Sequence, residues 1–418
     1  MFAKVAWHSL LNRRYTTILA IISVAISTFV LLGVEHIRHE AKESFSKTVS
    51  GVDLIVGART SQLNLLLYSV FHIGNPTNNI SWQSYRELAD DPKVAWTIPI
   101  SLGDSHQGYR VMGTTDDFFM RFRFGKNTAL SFSEGEAFSQ LFDVVLGAEV
   151  AKKLNYRVGD PILLAHGLGR ISFSMHDDKP FRVKGMLRPT GTPADQTVYI
   201  SLQGMEAIHL DWRDGVKIPG KKVSDSDIEA LDLTPKSITA FMIGLQSKMA
   251  IFSVQRHINQ YPKEPLLAIL PGITLTELWQ MMNSMENTLR LISILVLFSS
   301  LLGLSTMLLS SIRERQREIA VMRAIGASPL FVFLIIQIEA LMITLVGIIV
   351  AIVVLAIGIL LIQSTLEENY GIFINYLSIN NHTFGIVGII ILSTFILGLI
   401  PSLSAYRMSL HYGLIERS

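Results

Sequence analysis

The chain contains no cysteine. That excludes disulfides, a cysteine-based zinc site and a thiol nucleophile. It leaves an oxidising compartment open, because a domain of a few hundred residues can bury enough core without covalent staples. A nucleotide-binding loop is also missing. No G-x-x-x-x-G-K-[ST] occurs, and Gly125-Lys126 and Gly220-Lys-Lys222 lack both the spacing and the following hydroxyl. No H-E-x-x-H occurs either, so a zincin protease is excluded, and no other catalytic constellation can be assembled. The chain reads as non-enzymatic, with no cofactor of its own. Charge is scarce at 17%, with 36 Lys and Arg against 34 Asp and Glu, which gives no support to a nucleic-acid partner.

What is abundant is apolar sequence: 49% of the 418 residues are hydrophobic, and mean hydropathy is +0.39. It is concentrated near residue 20 and in the last third. A membrane-crossing helix needs about 20 apolar residues. Four segments qualify: 15–35, 289–312, 329–363 and 384–405. The third is long for one perpendicular span, which predicts a tilted or projecting helix. The first is read as a retained anchor, because its apolar run exceeds that of a cleaved signal peptide.

Lys4, Arg13 and Arg14 precede the first span. Arg313, Arg315, Arg317 and Arg323 lie between the second and third, and Arg407 and Arg417 follow the fourth. The loop 364–383 carries Glu367 and Glu368 and no basic residue. By the positive-inside rule, segments 1–14, 313–328 and 406–418 face the cytoplasm, and 36–288 lies outside. The expectation is a helical membrane domain of four transmembrane helices with a large α+β extracytoplasmic domain between the first two. Membrane lipids are then obligatory partners.

Within 36–288, a polar helix is expected to continue the first span to about Gly51, and Thr274–Arg290 reads as a second stalk. Strand patterns occur at Val52–Val56, Ala95–Ile100, Tyr109–Gly113, Pro161–Ala165, Phe181–Leu187, Thr197–Ile200, Thr239–Leu245 and Leu266–Ile269. Helix patterns occur at Ser61–Phe71, Trp82–Leu88, Gly147–Leu154, Leu202–Leu210 and Lys248–Gln260. Gly215–Pro235 reads as a polar surface insertion.

Several motifs then resemble one family. Arg313-Glu-Arg-Gln-Arg-Glu-Ile-Ala-Val-Met-Arg-Ala-Ile-Gly-Ala-Ser328 resembles the segment after the second helix in FtsX-like and MacB-like permeases. Gly398-Leu-Ile-Pro-Ser-Leu-Ser-Ala-Tyr-Arg407 is similar to their closing motif. Val145–Leu154 with Val158-Gly-Asp160, and Val183–Thr192, resemble the periplasmic core of the MacB type. The polar insertion is unmatched, and Ser409 stands where many members have proline.

The resemblance implies a bacterial inner-membrane permease of the mechanotransmission (type VII) class, with both termini cytoplasmic. It would work with an ABC ATPase subunit that holds ATP and Mg, and with a second permease chain, identical or paralogous. A periplasmic adaptor or substrate-binding protein is a further expected partner. Lipoproteins, lipids and small molecules are the implied substrates. A scaffold that activates a cell-wall hydrolase and a zinc-linked homeostasis component are the alternatives.

The site residues follow. Ile312, Ile319, Met322 and Ile325 recur at helical spacing, with Arg315, Arg317, Glu318 and Arg323 largely elsewhere and Gly326 as a stop. Such a helix either docks on a partner or only meets lipid headgroups; the resemblance favours docking. Glu339 within an apolar run is either an internal polar contact or a snorkelling side chain. Leu65, Leu66, Leu67 and Phe71 either pack in the core or form an apolar lip for an acyl chain. Eight of the eleven histidines fall within 36–288. His36, His39, His72, His166 and His176 are candidate metal ligands, weighed against ordinary exposed or core-satisfied rings.

Overall fold

The computed structural model describes residues 2–46, 48–125, 127–166, 179–210, 212–213, 216–217, 231–314, 316–370 and 381–415. It divides into two compact units: a helical one comprising Met1–Glu40, Met282–Thr365 and the final helix, and a mixed α/β one over Ala41–Met281.

The helical unit contains α1 (Phe2–Asn12), most of α2 (Arg14–Ser46), most of α9 (Pro271–Glu314), α10 (Gln316–Ala324), α11 (Pro329–Tyr370) and α12 (Asn381–Ile415). Among the described residues, four helices are long and apolar enough to cross a bilayer: Arg14–Glu40, Pro271–Glu314, Pro329–Ile362 and Thr383–Ser409. Their shared core joins Leu10, Val24, Leu301, Leu304, Ala340, Ile343 and Ile390. The many exposed Leu, Ile and Val on the same helices are what lipid contact requires.

The α/β unit is built on an eleven-stranded sheet: β1 (Leu54–Ala58), β2 (Val94–His106), β3 (Tyr109–Thr114), β4 (Phe132–Gly135), β5 (Asp143–Leu146), β6 (Pro161–Ile162), β7 (Ala165–His166), β8 (Phe181–Leu187), β9 (Thr197–Ser201), β10 (Ala240–Leu245) and β11 (Leu266–Ile269). The order is β11-β1-β10-β2-β3-β9-β5-β8-β4, with β7 on β2 and β6 on β8. The β9–β3 and β8–β5 pairs are parallel and the others antiparallel. Side chains on alternate positions enter different cores. Ile55, Met112 and Val145 join one cluster, while Leu54, Val111 and Val144 join two others. A strand buried on both faces must be largely apolar, which is why β1 reads as an unbroken run and β5 continues from its buried Asp143 as Val-Val-Leu.

Among the described residues, seven helices cover this sheet or flank it: α3 (Gln62–Val70), α4 (Trp82–Ala89), α5 (Asp117–Arg121), α6 (Ala148–Leu154), α7 (Leu202–His209), α8 (Ile251–Asn259) and the start of α9. Ser61, Ser81 and Ser201 cap α3, α4 and α7 through their hydroxyls. Gly57 of β1 lets α3 lie close, since an added Cβ would come within 2.5 Å of Leu65 and Tyr68.

The structure corrects several expectations. Leu65 and Leu66 are fully buried, Phe71 nearly so, and Leu67 packs against the same core, so this cluster is not an apolar lip. The first long helix ends at Ser46, short of Gly51, and the second stalk and second span form one helix from Pro271. The strand expected at Pro161–Ala165 splits in two, with its halves on different neighbours. Strand β5 and helix α5 have no counterpart in the sequence reading. Most of the polar insertion lies outside the described residues.

Candidate functional site

Helix α10 carries the segment with the strongest motif. Ile319 is 3% exposed and packs with Ile312, Val332, Ile336 and Ala405, while Met322 borders the same cluster. Their apolar faces are therefore spent inside the chain, fixing α10 against its neighbours. Ile325 is 82% exposed and does not share that face. The reason is local: α10 stops at Ala324, and Gly326 adopts φ of 102°, turning the chain away from the helical path. Arg323 Nη1 donates to Ala327 O at 2.8 Å, so this arginine closes the turn. Arg315 lies outside the described residues.

The exposed side of α10 faces an open groove of about 640 Å³. Its walls are Val5, His8, Ser9 and Asn12 of α1 and Arg317, Glu318, Val321 and Met322 of α10. A cation, an anion, an imidazole and three apolar side chains share this concavity. That mixture suits a protein surface better than a small apolar ligand.

Glu339 is 1% exposed, and its carboxylate lies 3.9 Å from Arg13 Nη2. It is an internal ion-paired group and does not snorkel. Arg13 also donates to Ser9 Oγ, on the helix that walls the groove. Nearby polar links tie the apolar helices together. Gln337 Nε2 donates to Phe395 O at 2.7 Å, Ser402 Oγ donates to Gln337 Oε1 at 2.9 Å, and the Thr344 and Thr394 hydroxyls meet at 3.2 Å. Pro401 removes the amide that would reach Leu397 O, and Ser305 Oγ of α9 donates to that carbonyl at 3.3 Å. Arg38 of α2 bridges Glu35 and Glu286 at 3.1 and 3.3 Å. Arg13 and Gln337 were missed in the sequence; Gln337, two residues before Glu339 in an apolar run, was the one readable signal.

The candidate metal ligands do not converge. Among the described residues no group of three or more His, Asp or Glu gathers to hold an ion. His36 and His39 stand on α2 beside the Arg38 bridge. His72 sits at φ of 55°, with Nδ1 2.9 Å from Thr197 Oγ1. Burial, then the nearby Arg110, hold its pKa down to about 4. His166 is described in its backbone only, and His176 lies outside the described residues.

The arrangement is that of a multi-span helical protein with a mixed α/β domain inserted after its first long helix. Two family models account for nearly all of it: the MacB-like periplasmic core domain over residues 16–261 and the FtsX-like permease C-terminal domain over residues 290–410. The chain therefore belongs to the family of FtsX-like ABC transporter permeases that carry a MacB-like periplasmic core domain. Two solved structures are similar to it. One is the periplasmic region of MacB from Actinobacillus actinomycetemcomitans, at 11% identity and TM-score 0.33, covering 55% of this chain and 94% of that one. The other is the extracellular domain of the noncanonic ABC-type transporter YknZ from Gram-positive bacteria, at 11% identity and TM-score 0.30, covering 52% and 98%. No curated protein matches the chain. The family assignment rests on the two family models.

Proposed function

We propose that this chain is the membrane subunit of an ABC transporter in which a separate ATPase docks in the groove between α1 and α10. Hydrolysis there would move the helices and, through α2 and α9, the α/β domain acting on an extracytoplasmic substrate. The observation that supports this most is the groove itself. It presents Arg317 and Glu318 at the surface, while Ile319 on the same helix anchors α10 to Ile312 and Val332. A load applied at the groove therefore reaches the spanning helices through packed side chains. These 418 residues contain no nucleotide-binding loop, and the proposal therefore places ATP hydrolysis in a separate subunit.

The test is affinity purification in mild detergent, comparing wild type with the double variant Arg317→Ala, Glu318→Ala. Recovery of an ABC ATPase with wild type and its loss with the variant supports the proposal. Equal recovery from both moves the docking site elsewhere. No ATPase from a folded wild-type chain overturns the reading.

A further inference from the structure

The helix that walls the groove has a further face. Residues of α1 fall into three stripes, each repeating at the fourth position as one helix face does. Ala6 and Leu10 are buried, and Leu10 belongs to the core shared by the long helices. Val5 and Ser9, with His8 and Asn12, line the groove. Trp7 and Leu11 make the third stripe, and they are 47% and 53% exposed.

The chain then turns. Arg13 N donates to Leu10 O, three residues back, and Thr17 Oγ1 donates to the same carbonyl at 3.1 Å. Over seven residues a straight helix rises about 10 Å, so the second bond forms only because α1 is bent out of the axis of α2. The bend falls where polar sequence gives way to apolar: Arg13 and Arg14 are followed by an uncharged run up to Glu35.

The two arginines at this bend differ. Arg13 turns inward to Glu339. Arg14 is exposed, with its guanidinium carbon 5.1 Å from the centroid of the Tyr15 ring and Nη2 3.4 Å from the Tyr15 hydroxyl. Among the described residues it meets no carboxylate, and no Asp or Glu precedes Glu35 in the sequence. Tyr15 itself is 72% exposed, and the span continues with exposed Ile18, Leu19 and Ile22.

These features say what covers the third stripe. Trp and Tyr settle at headgroup depth, where an apolar ring and a polar edge are both satisfied. A short helix turned off a spanning helix, apolar on one stripe and basic at its end, lies in that layer. A guanidinium presents paired N–H donors that match a phosphate.

We propose that Trp7, Leu11, Arg14 and Tyr15 form a docking surface for anionic phospholipid, with Trp7 and Leu11 seated among the headgroups and Arg14 on their phosphates. Helix α1 then has lipid on one side and the groove on the other, which holds the groove at a fixed height over the bilayer. The inference needs no ATPase and stands whether or not one docks in the groove.

Because the chain has no cysteine, one introduced thiol is a unique labelling point. Full-length Leu11→Cys carrying an environment-sensitive fluorophore is placed in phosphatidylcholine nanodiscs, with or without phosphatidylglycerol, doped with a headgroup-nitroxide lipid. The nitroxide should quench the label, and phosphatidylglycerol should deepen the quenching. Arg14→Gln should weaken that phosphatidylglycerol response about fivefold, and Arg14→Lys should recover part of it. A label at Asn12→Cys, on the groove side, should be quenched several-fold less. Thermal midpoints report folding, and the phosphatidylglycerol response with Arg14 intact decides the matter if Arg14→Gln does not fold. Water-like emission at Leu11→Cys, or quenching indifferent to phosphatidylglycerol, overturns the proposal. A label shielded from water yet not quenched assigns the face to a protein surface and overturns it, as does reversal by inorganic phosphate.

Discussion

The two units handle buried polar groups in different ways. In the α/β domain two buried carboxylates are satisfied within a few residues, while Thr239 Oγ1, accepting from Leu102 N, joins neighbouring strands. Asp195 accepts from Thr190 N, Thr190 Oγ1 and Gly191 N, and Asp143 accepts from Ser139 N and Gln140 N. Each carboxylate shapes one loop, and cohesion between elements comes from three apolar clusters around the sheet. In the helical unit the polar groups reach across helices, as Gln337 to Phe395 and Arg13 to Glu339 do. Lipid tails are as apolar as leucine, so burying leucine between helices gains little there, and polar links and close packing set helix partners. Gly347 against Val24 and Gly398 against Gln337 supply the close approach.

Substitutions can break or sharpen this contrast. The largest effect is expected from Leu66→Ala in the α/β core, a loss of about 2–5 kcal/mol of stability, read as a lower denaturation midpoint of the full chain. Next is a pH effect at His72. Its folded pKa of about 4 lies below the ordinary 6.5, so the neutral ring is favoured by folding. That stability is complete above pH 6.5 and is lost as pH falls toward 4, by roughly 2 kcal/mol after allowance for partial solvent access. His72→Gln should flatten this acid limb in pH-dependent melting, and an unchanged limb would contradict the assignment. In the helical unit Gln337→Leu keeps size and hydrophobicity compatible with the membrane yet removes two interhelical bonds, at about 1 kcal/mol. Steric-trap or detergent unfolding should detect it, and a neutral result would remove the contrast between the units. The smallest effect is expected from Ile325→Ser, within about 0.5 kcal/mol in the same assay, because its side chain is already exposed.

How much of this was legible follows the range of the interactions. The strands Phe181–Leu187 and Leu266–Ile269 were read to the residue, because turn residues bound each apolar run. The helix patterns Ser61–Phe71 and Trp82–Leu88 came within a residue of the bounds of α3 and α4. Strand β5 was missed because four buried residues leading straight into α6 show no alternation. Ile325 was placed on the wrong face because helical periodicity was carried one residue past the end of α10. Glu339 was visible as an anomaly, but its partner Arg13 lies in the turn between α1 and α2, 326 residues earlier.

The break in α12 has a consequence for motion. A complete helix repairs its own ladder, but here one rung is supplied by a neighbour: the carbonyl of Leu397, released by Pro401, is held by the Ser305 hydroxyl. Bending of α12 at this point and displacement of α9 along it are therefore linked through this hydrogen bond. Leu397 O is already without a rung from its own helix, so a displacement there would trade one side-chain hydrogen bond and spare the regular ladder of α12.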